Sequence, residues 1–252
     1  MSGARIGALL RLTIARTVRP LPLVLGALIA GLPILFAFIY RSTGGDDANL
    51  AEFLLTRYNA LVVSMLLPLA ALVTAAGATS AEREDGTILY LLTTTTSRAM
   101  LGLVRWVFAT VCTSVLVLAA VIGTGLIAGG GAEPTGVMRA FAIGSVVGAA
   151  VYSAVFLALA VWLRRSLLVG LLYVLVWEGT ISSSVPAVRY LSAKQVLLGI
   201  TQHFVQPAEQ GAGAFATAPT AGTSAAWAVA VTVLALAATI YRLQRLPVTK
   251  PR

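Results

Sequence analysis

Few residues of this chain could do chemistry, and their types and spacing exclude most of it. Carboxylates cluster twice, at Asp46-Asp47 and within the run Glu82-Arg83-Glu84-Asp85-Gly86-Thr87. Paired carboxylates serve acid–base catalysis only where a shaped, partly dry site tunes them apart, and both clusters lie in polar stretches between apolar runs. A serine nucleophile needs a base within hydrogen-bond reach. The single histidine, His203, stands far from any serine with a special setting, and Ser182-Ser183-Ser184 beside Pro186 reads as a helix end. Neither H-E-x-x-H nor G-x-S-x-G occurs. One cysteine, Cys112, excludes a disulfide framework, and one histidine without cysteine nearby excludes a histidine-based metal centre. The only lysines are Lys194 and Lys250, with no G-x-x-x-x-G-K-[ST] around either, so the chain cannot build a phosphate-binding loop. The expectation is a protein that is not an enzyme, with no catalytic residue, cofactor or metal. Any ATP would be bound by another polypeptide.

The elements that must position these residues are set by composition. Of 252 residues, 58% are hydrophobic and 11% charged, with a mean hydropathy of +0.91; soluble domains average about 45–50% apolar. Six runs approach the ~20 residues needed to cross ~30 Å of hydrocarbon: roughly 21–40, 60–80, 103–128, 137–162, 166–184 and 224–241. The sequence therefore predicts an all-α integral membrane protein, a single polytopic domain over 1–252 with about six transmembrane helices. The first run is too long for a cleaved signal sequence and is read as a retained span. A net charge of +9 is spread over arginines at the ends of apolar runs, which fits anionic lipid headgroups rather than nucleic acid. With an even number of spans both termini share one side. If that side is cytoplasmic, only Arg41, Arg57, Arg139, Arg189 and Lys194 of the 18 basic residues fall outside, so the positive-inside rule places both termini in the cytoplasm and the protein in the plasma membrane.

Shorter features refine this layout. Ile6, Leu10 and Ile14 share one face of a helix over 4–18, with Arg5, Arg16 and Arg19 mostly opposite. Segment 1–20 is either an amphipathic helix in the headgroup plane or a basic topogenic tail. Pro20 and Pro22 turn the chain into the first span. Ala140, Gly144 and Gly148 form a row of small residues at four-residue spacing, which lets helices approach closely, either within the chain or across a dimer. The loop 185–223 is expected outside. Within it, Ser192 and Gln195 have the spacing of a capping box, and Val196, Leu197, Ile200 and Phe204 predict a short interfacial or re-entrant helix over 193–204, ended by Pro207. Glu178 is the one carboxylate inside an apolar span. Counted from Arg165 it lies about 20 Å along the helix, in the outer part of the bilayer. It either lines a translocation path or gate, or is neutralised locally by Ser182-Ser183-Ser184 or Arg189.

The run at 82–87 has the strongest character. Four consecutive charges follow an apolar segment, Gly86 permits a sharp turn, and Thr87 can cap a short helix carrying Ile88, Leu91 and Leu92 on one face. Such a helix either enters a partner's groove or lies on the membrane surface. The string Glu82-Arg83-Glu84-Asp85-Gly86-Thr87-Ile88, then Leu91-Leu92 and Ser97-Arg98, resembles the cytoplasmic segment of ABC type-2 permeases, the six-span membrane subunits of many bacterial ABC exporters. The family's amphipathic N-terminal helix, cytoplasmic termini and long outer loop before the last span are matched by 1–20, the charge bias and 185–223. Glu178, after Val176-Trp177, resembles the fifth span of a subset of that family. The chain departs from the family where Thr93–Thr96 replaces a frequent proline and Arg105 a frequent lysine.

The resemblance implies a permease that couples ATP hydrolysis by separate ATPase subunits to export. It would act as a homodimer, or a heterodimer with a paralogous permease, among membrane lipids and without nucleic acid. A cytosolic coupling segment over 81–100 would meet the ATPase through Glu82, Arg83, Glu84, Asp85, Gly86, Thr87, Ser97 and Arg98, with Glu178 on the transport path or gate. Alternative readings are a non-transporting assembly or sensor subunit on the same scaffold and an ion-coupled secondary carrier.

Overall fold

The computed structural model describes residues 20–45, 49–84, 98–130, 136–163, 165–181, 192–205, 215 and 218–245, with side chains throughout except at 20–27, 79–84 and 179–181. The segment 4–18, Asp46-Asp47, residues 85–97 and 182–191, and most of the tract 206–217 lie outside the described residues. Among those described, all regular structure is helical. Helix α1 is Pro20–Ser42. Helix α2 runs continuously over 50–84, as Leu50–Arg57, a π-helical stretch Tyr58–Leu66, and Leu67–Glu84. Then come α3 (Arg98–Ala128), α4 (Gly136–Trp162), α5 (Ser166–Leu172, continued as a π-helix over Tyr173–Ile181), α6 (Ala193–Phe204) and α7 (Ala221–Gln244).

Helices dominate because a chain this apolar must satisfy its backbone polar groups within each segment once water is absent. Among the described residues, four helices are long and apolar enough to cross a membrane: Leu50–Ala78, Arg98–Ala128, Gly136–Trp162 and Ala221–Gln244. Shorter apolar stretches, Leu28–Ser42 and Ser166–Glu178, lie on α1 and α5. The chain is an all-α membrane protein. Its second helix starts earlier than the run at 60–80 suggests: Leu50, Leu54, Leu55 and Tyr58 are buried despite the polar residues between them.

Helix α3 runs antiparallel to α4 and α7, which are parallel to each other, and this gives the bundle two ends. At one end Arg98 opens α3 and donates from one guanidinium nitrogen to the carbonyls of Leu243 (2.9 Å) and Gln244 (2.7 Å), the last turn of α7. A cation on those orphan carbonyls complements the helix dipole. Trp162, the last residue of α4, donates to Ala238 O of α7 at 3.2 Å, so α4 ends there too. The other end joins α1, α2 and α3. Tyr40 stacks on Phe53 at 4.0 Å between centroids, and Arg41 occupies the space a Cβ on Gly130 would need.

The core lies nearer this second end. Tyr58, fully buried, donates to Val121 O at 2.8 Å and meets Phe141 at 5.2 Å between centroids. Deeper, the hydroxyls of Thr74 and Thr113 bond at 2.9 Å, and Trp106 Nε1 donates to Ala150 O at 2.9 Å. Outward faces are apolar: Leu168 and Leu172 of α5, Phe38 of α1 and Leu234 of α7 are among the exposed residues, as hydrocarbon solvent permits.

Candidate functional site

The site is built on α6, the shortest complete helix. It forms over 193–204 because both of its local signals act together. Ser192 Oγ accepts from Gln195 N–H at 3.3 Å, which is the N-cap half of a capping box, and the apolar residues then recur at helical spacing. Almost no face is left free: Gln195, Val196, Leu197, Leu198, Gly199 and Thr201 are all buried.

Small residues on α4 receive it. The side chains of Leu197 and Leu67 fill the space where a Cβ on Gly148 would stand, and Thr201 fills that of Gly144. Leu197 pairs with 148 and Thr201 with 144, so α6 runs antiparallel to α4, one turn against one turn. The row Ala140, Gly144, Gly148 is thus at least in part an intramolecular seam for α6. On its other side, Gly199 abuts Ser224 and the Pro219 carbonyl at the start of α7.

Glu178 lies at the N-terminus of this helix. It is 2% exposed. Its Oε1 accepts from Tyr173 Oη at 3.0 Å and from Ala193 N–H at 3.0 Å. Its Oε2 accepts from Ser192 Oγ at 2.5 Å and from Lys194 N–H at 3.4 Å. The carboxylate therefore supplies acceptors to the first, otherwise orphan N–H groups of α6, at the positive end of its dipole. Charge-assisted bonds of this kind are roughly twice as strong as neutral ones, which is how an acid is tolerated among apolar residues. Tyr152 and Phe156 of α4 stack at 5.8 Å, and Phe156 meets Tyr173 edge-on at 6.1 Å. The buried Tyr152 hydroxyl faces the same carboxylate but lies outside good hydrogen-bond geometry.

Along the bundle, Glu178 is placed by its neighbour Tyr152 on α4. Tyr152 is ten residues from Trp162 and sixteen from Gly136, about 15 Å and 24 Å along α4. A straight α-helix overstates the advance per residue in α5, because the wider π-helix over Tyr173–Ile181 rises less. Ser192, Tyr173 and the α6 backbone hold Glu178, while the expected partners Ser182-Ser183-Ser184 and Arg189 lie outside the described residues. Tyr173 carries no sequence signal. In an α-helix residues five apart point about 140° away from each other, whereas i→i+5 winding stacks them on one side. Lys194 is partly buried beside the site. Desolvation pulls its ammonium below the ordinary lysine value, and the Glu178 carboxylate offsets part of that pull.

The coupling residues divide. Glu82, Arg83 and Glu84 form the last turn of α2, and Arg98 is bound to the end of α7 as described. Asp85, Gly86, Thr87 and Ser97 lie outside the described residues. The structure thus joins the two borders of segment 82–98 to one end of the bundle. Among the described residues, no three His, Cys, Asp or Glu side chains are grouped so as to hold a metal ion. Neither the models of known protein families nor the curated proteins compared with this chain match it.

Proposed function

We propose that this chain is the membrane-spanning permease subunit of a type-2 ABC exporter, driven by ATPase subunits encoded separately. The observation that carries the reading is the charged segment 82–98, bordered by the last turn of α2 and by Arg98. The bond from Arg98 to the Leu243 and Gln244 carbonyls supports a coupling role, because displacement of the segment reaches α3 and α7 together. In this reading there are six spans, both termini are cytoplasmic, and two permeases pair. The Arg98 end faces the ATPase, and α6 is a re-entrant helix entering from the opposite side.

Glu178 then acts at the gate as an anchor. The hydrogen bonds it accepts from Tyr173, Ser192, Ala193 and Lys194 are directed at α5 and α6, which favours holding α6 over contacting cargo. Co-purification tests the main reading. The detergent-solubilised protein, co-expressed with an ATPase encoded beside it, should retain that ATPase, and alanine at Glu82 and Glu84 together should lower retention at least 10-fold while leaving thermal unfolding of the permease unchanged. Failure of the native chain to retain any such ATPase would overturn the assignment in favour of a non-transporting subunit.

A further inference from the structure

Helices α4 and α7 leave an open groove between them near the Arg98 end. Val155, Ala158, Leu159 and Trp162 line one wall, Ala235 and Ala238 the other, around a volume of about 270 Å³. The α4 residues recur at i, i+3, i+4 and i+7, one stripe of a helix, and position 242 continues the stripe of 235 and 238 on α7. Alanine at 158, 235 and 238 is what opens the groove, since no side chain there reaches the facing helix. The one polar group on the walls, Trp162 Nε1–H, is engaged by Ala238 O.

The groove ends in cations. The Arg242 guanidinium lies over the Trp162 ring, 5.5 Å from its centroid, and its Nε is buried with no hydrogen-bond partner. Exposed Arg245 lies over Tyr241 at 4.4 Å. Guanidinium groups bind phosphate oxygens with charge-assisted hydrogen bonds, and tryptophan favours the headgroup level of a bilayer. A dry alkyl-lined slot that ends at a guanidinium group matches an acyl chain joined to an anionic phosphate. We propose that this groove binds an anionic phospholipid, its chain along the alanine wall and its phosphodiester on Arg242. A second copy of the chain presenting an apolar helix would fill the slot but leave the Arg242 guanidinium without an anion.

Trp162 reports on the groove directly. The full chain with Trp106, Trp177 and Trp227 changed to Phe is reconstituted in mixed phosphatidylglycerol and phosphatidylcholine vesicles, with bromine on the chains of one lipid or the other. Brominated phosphatidylglycerol should quench Trp162 as if favoured roughly 5-fold over phosphatidylcholine, the advantage of about one arginine near an anionic lipid. Arg242→Gln should bring the two lipids to parity, and Ala238→Leu should lower quenching by both. Equal quenching in the unaltered groove overturns the proposal, as does a preference that survives Arg242→Gln. Quenching by neither lipid until the protein is diluted in the membrane assigns the face to a second copy, and loss of the preference on adding glycerol phosphate assigns it to a free phosphate; either overturns it. Because Trp106→Phe also removes the bond to Ala150 O, lipid retained by the otherwise unaltered chain through detergent extraction is measured in parallel. Phosphatidylglycerol should be enriched over the bulk ratio there, and Arg242→Gln should abolish the enrichment; no enrichment in the unaltered chain overturns the proposal.

Discussion

Helices α6 and α7 are neighbours in sequence, and both read as apolar, yet they are held by opposite means. Helix α6 has 12 residues, half of them buried, and its first turn is tied to a carboxylate. Helix α7 has 24 residues, of which Ser224, Ala228, Thr239 and Leu243 are the buried ones, and it turns Trp227, Val229, Val233 and Leu234 outward. In lipid an outward leucine loses nothing relative to a buried one through the hydrophobic effect, so α7 is a helix by virtue of its solvent. Helix α6 is too short to span and brings Lys194, Gln195 and Gln202 inward or alongside. It depends on particular partners, and substitutions that remove them should separate the two helices.

The largest effect is expected at Glu178. Glu178→Ala leaves the Ser192 and Tyr173 hydroxyls and the Ala193 N–H without their acceptor, and buried donors left unmet cost about 1–3 kcal/mol each before relaxation. A loss of about 3 kcal/mol, read as thermal unfolding in micelles, is the expected result. Glu178→Gln keeps one acceptor oxygen and should recover about half of it. If Glu178→Ala unfolds with the native protein, the carboxylate does not hold α6, and the contrast with α7 fails.

The α4 seam comes next. Gly148→Leu drives a side chain into the space taken by Leu197 and Leu67, and overpacking of this kind costs about 1–3 kcal/mol. Destabilisation accompanied by faster proteolysis of the loops flanking α6 is expected, because α6 must leave the seam. Unchanged protection of those loops would mean that another contact holds α6. Ser192→Ala should be milder, about 1–2 kcal/mol. It removes the cap on Gln195 N–H and the hydroxyl bond to Glu178, while the backbone donors remain.

How much of this was legible depended on the range of each interaction. Helix 193–204 and its cap could be read because Ser192 and Gln195 are three residues apart and the apolar period follows at once. Glu178 stood out because a lone acid in an apolar run has few explanations. Its partners did not, since Ser192 is 14 residues away and Tyr173 reaches it only through a π-helical winding that no residue type announces. The row Ala140, Gly144, Gly148 announced a close approach without naming the visitor. Arg98 was legible as a charge at a helix start, but its acceptors are backbone carbonyls nearly 150 positions later in the chain, and every residue has a carbonyl. The charged segment 82–98 remains a sequence argument for a partner, anchored in space through its two borders, the end of α2 and Arg98.

The smallest effect is the sharpest test of the difference. Leu234, 67% exposed, faces outward from the middle of α7. A large-to-small change in a packed protein core costs about 2–5 kcal/mol, but Leu234→Ala exchanges contacts with lipid or detergent for others of the same kind. It should therefore shift stability by no more than about 0.5 kcal/mol. Thermal unfolding and self-association of the Leu234→Ala protein in micelles should both match the native chain. A loss above 2 kcal/mol, or dissociation of a dimer, would mean that this face of α7 is covered by protein after all. The two helices would then differ in which chain supplies the partner rather than in the solvent that surrounds them.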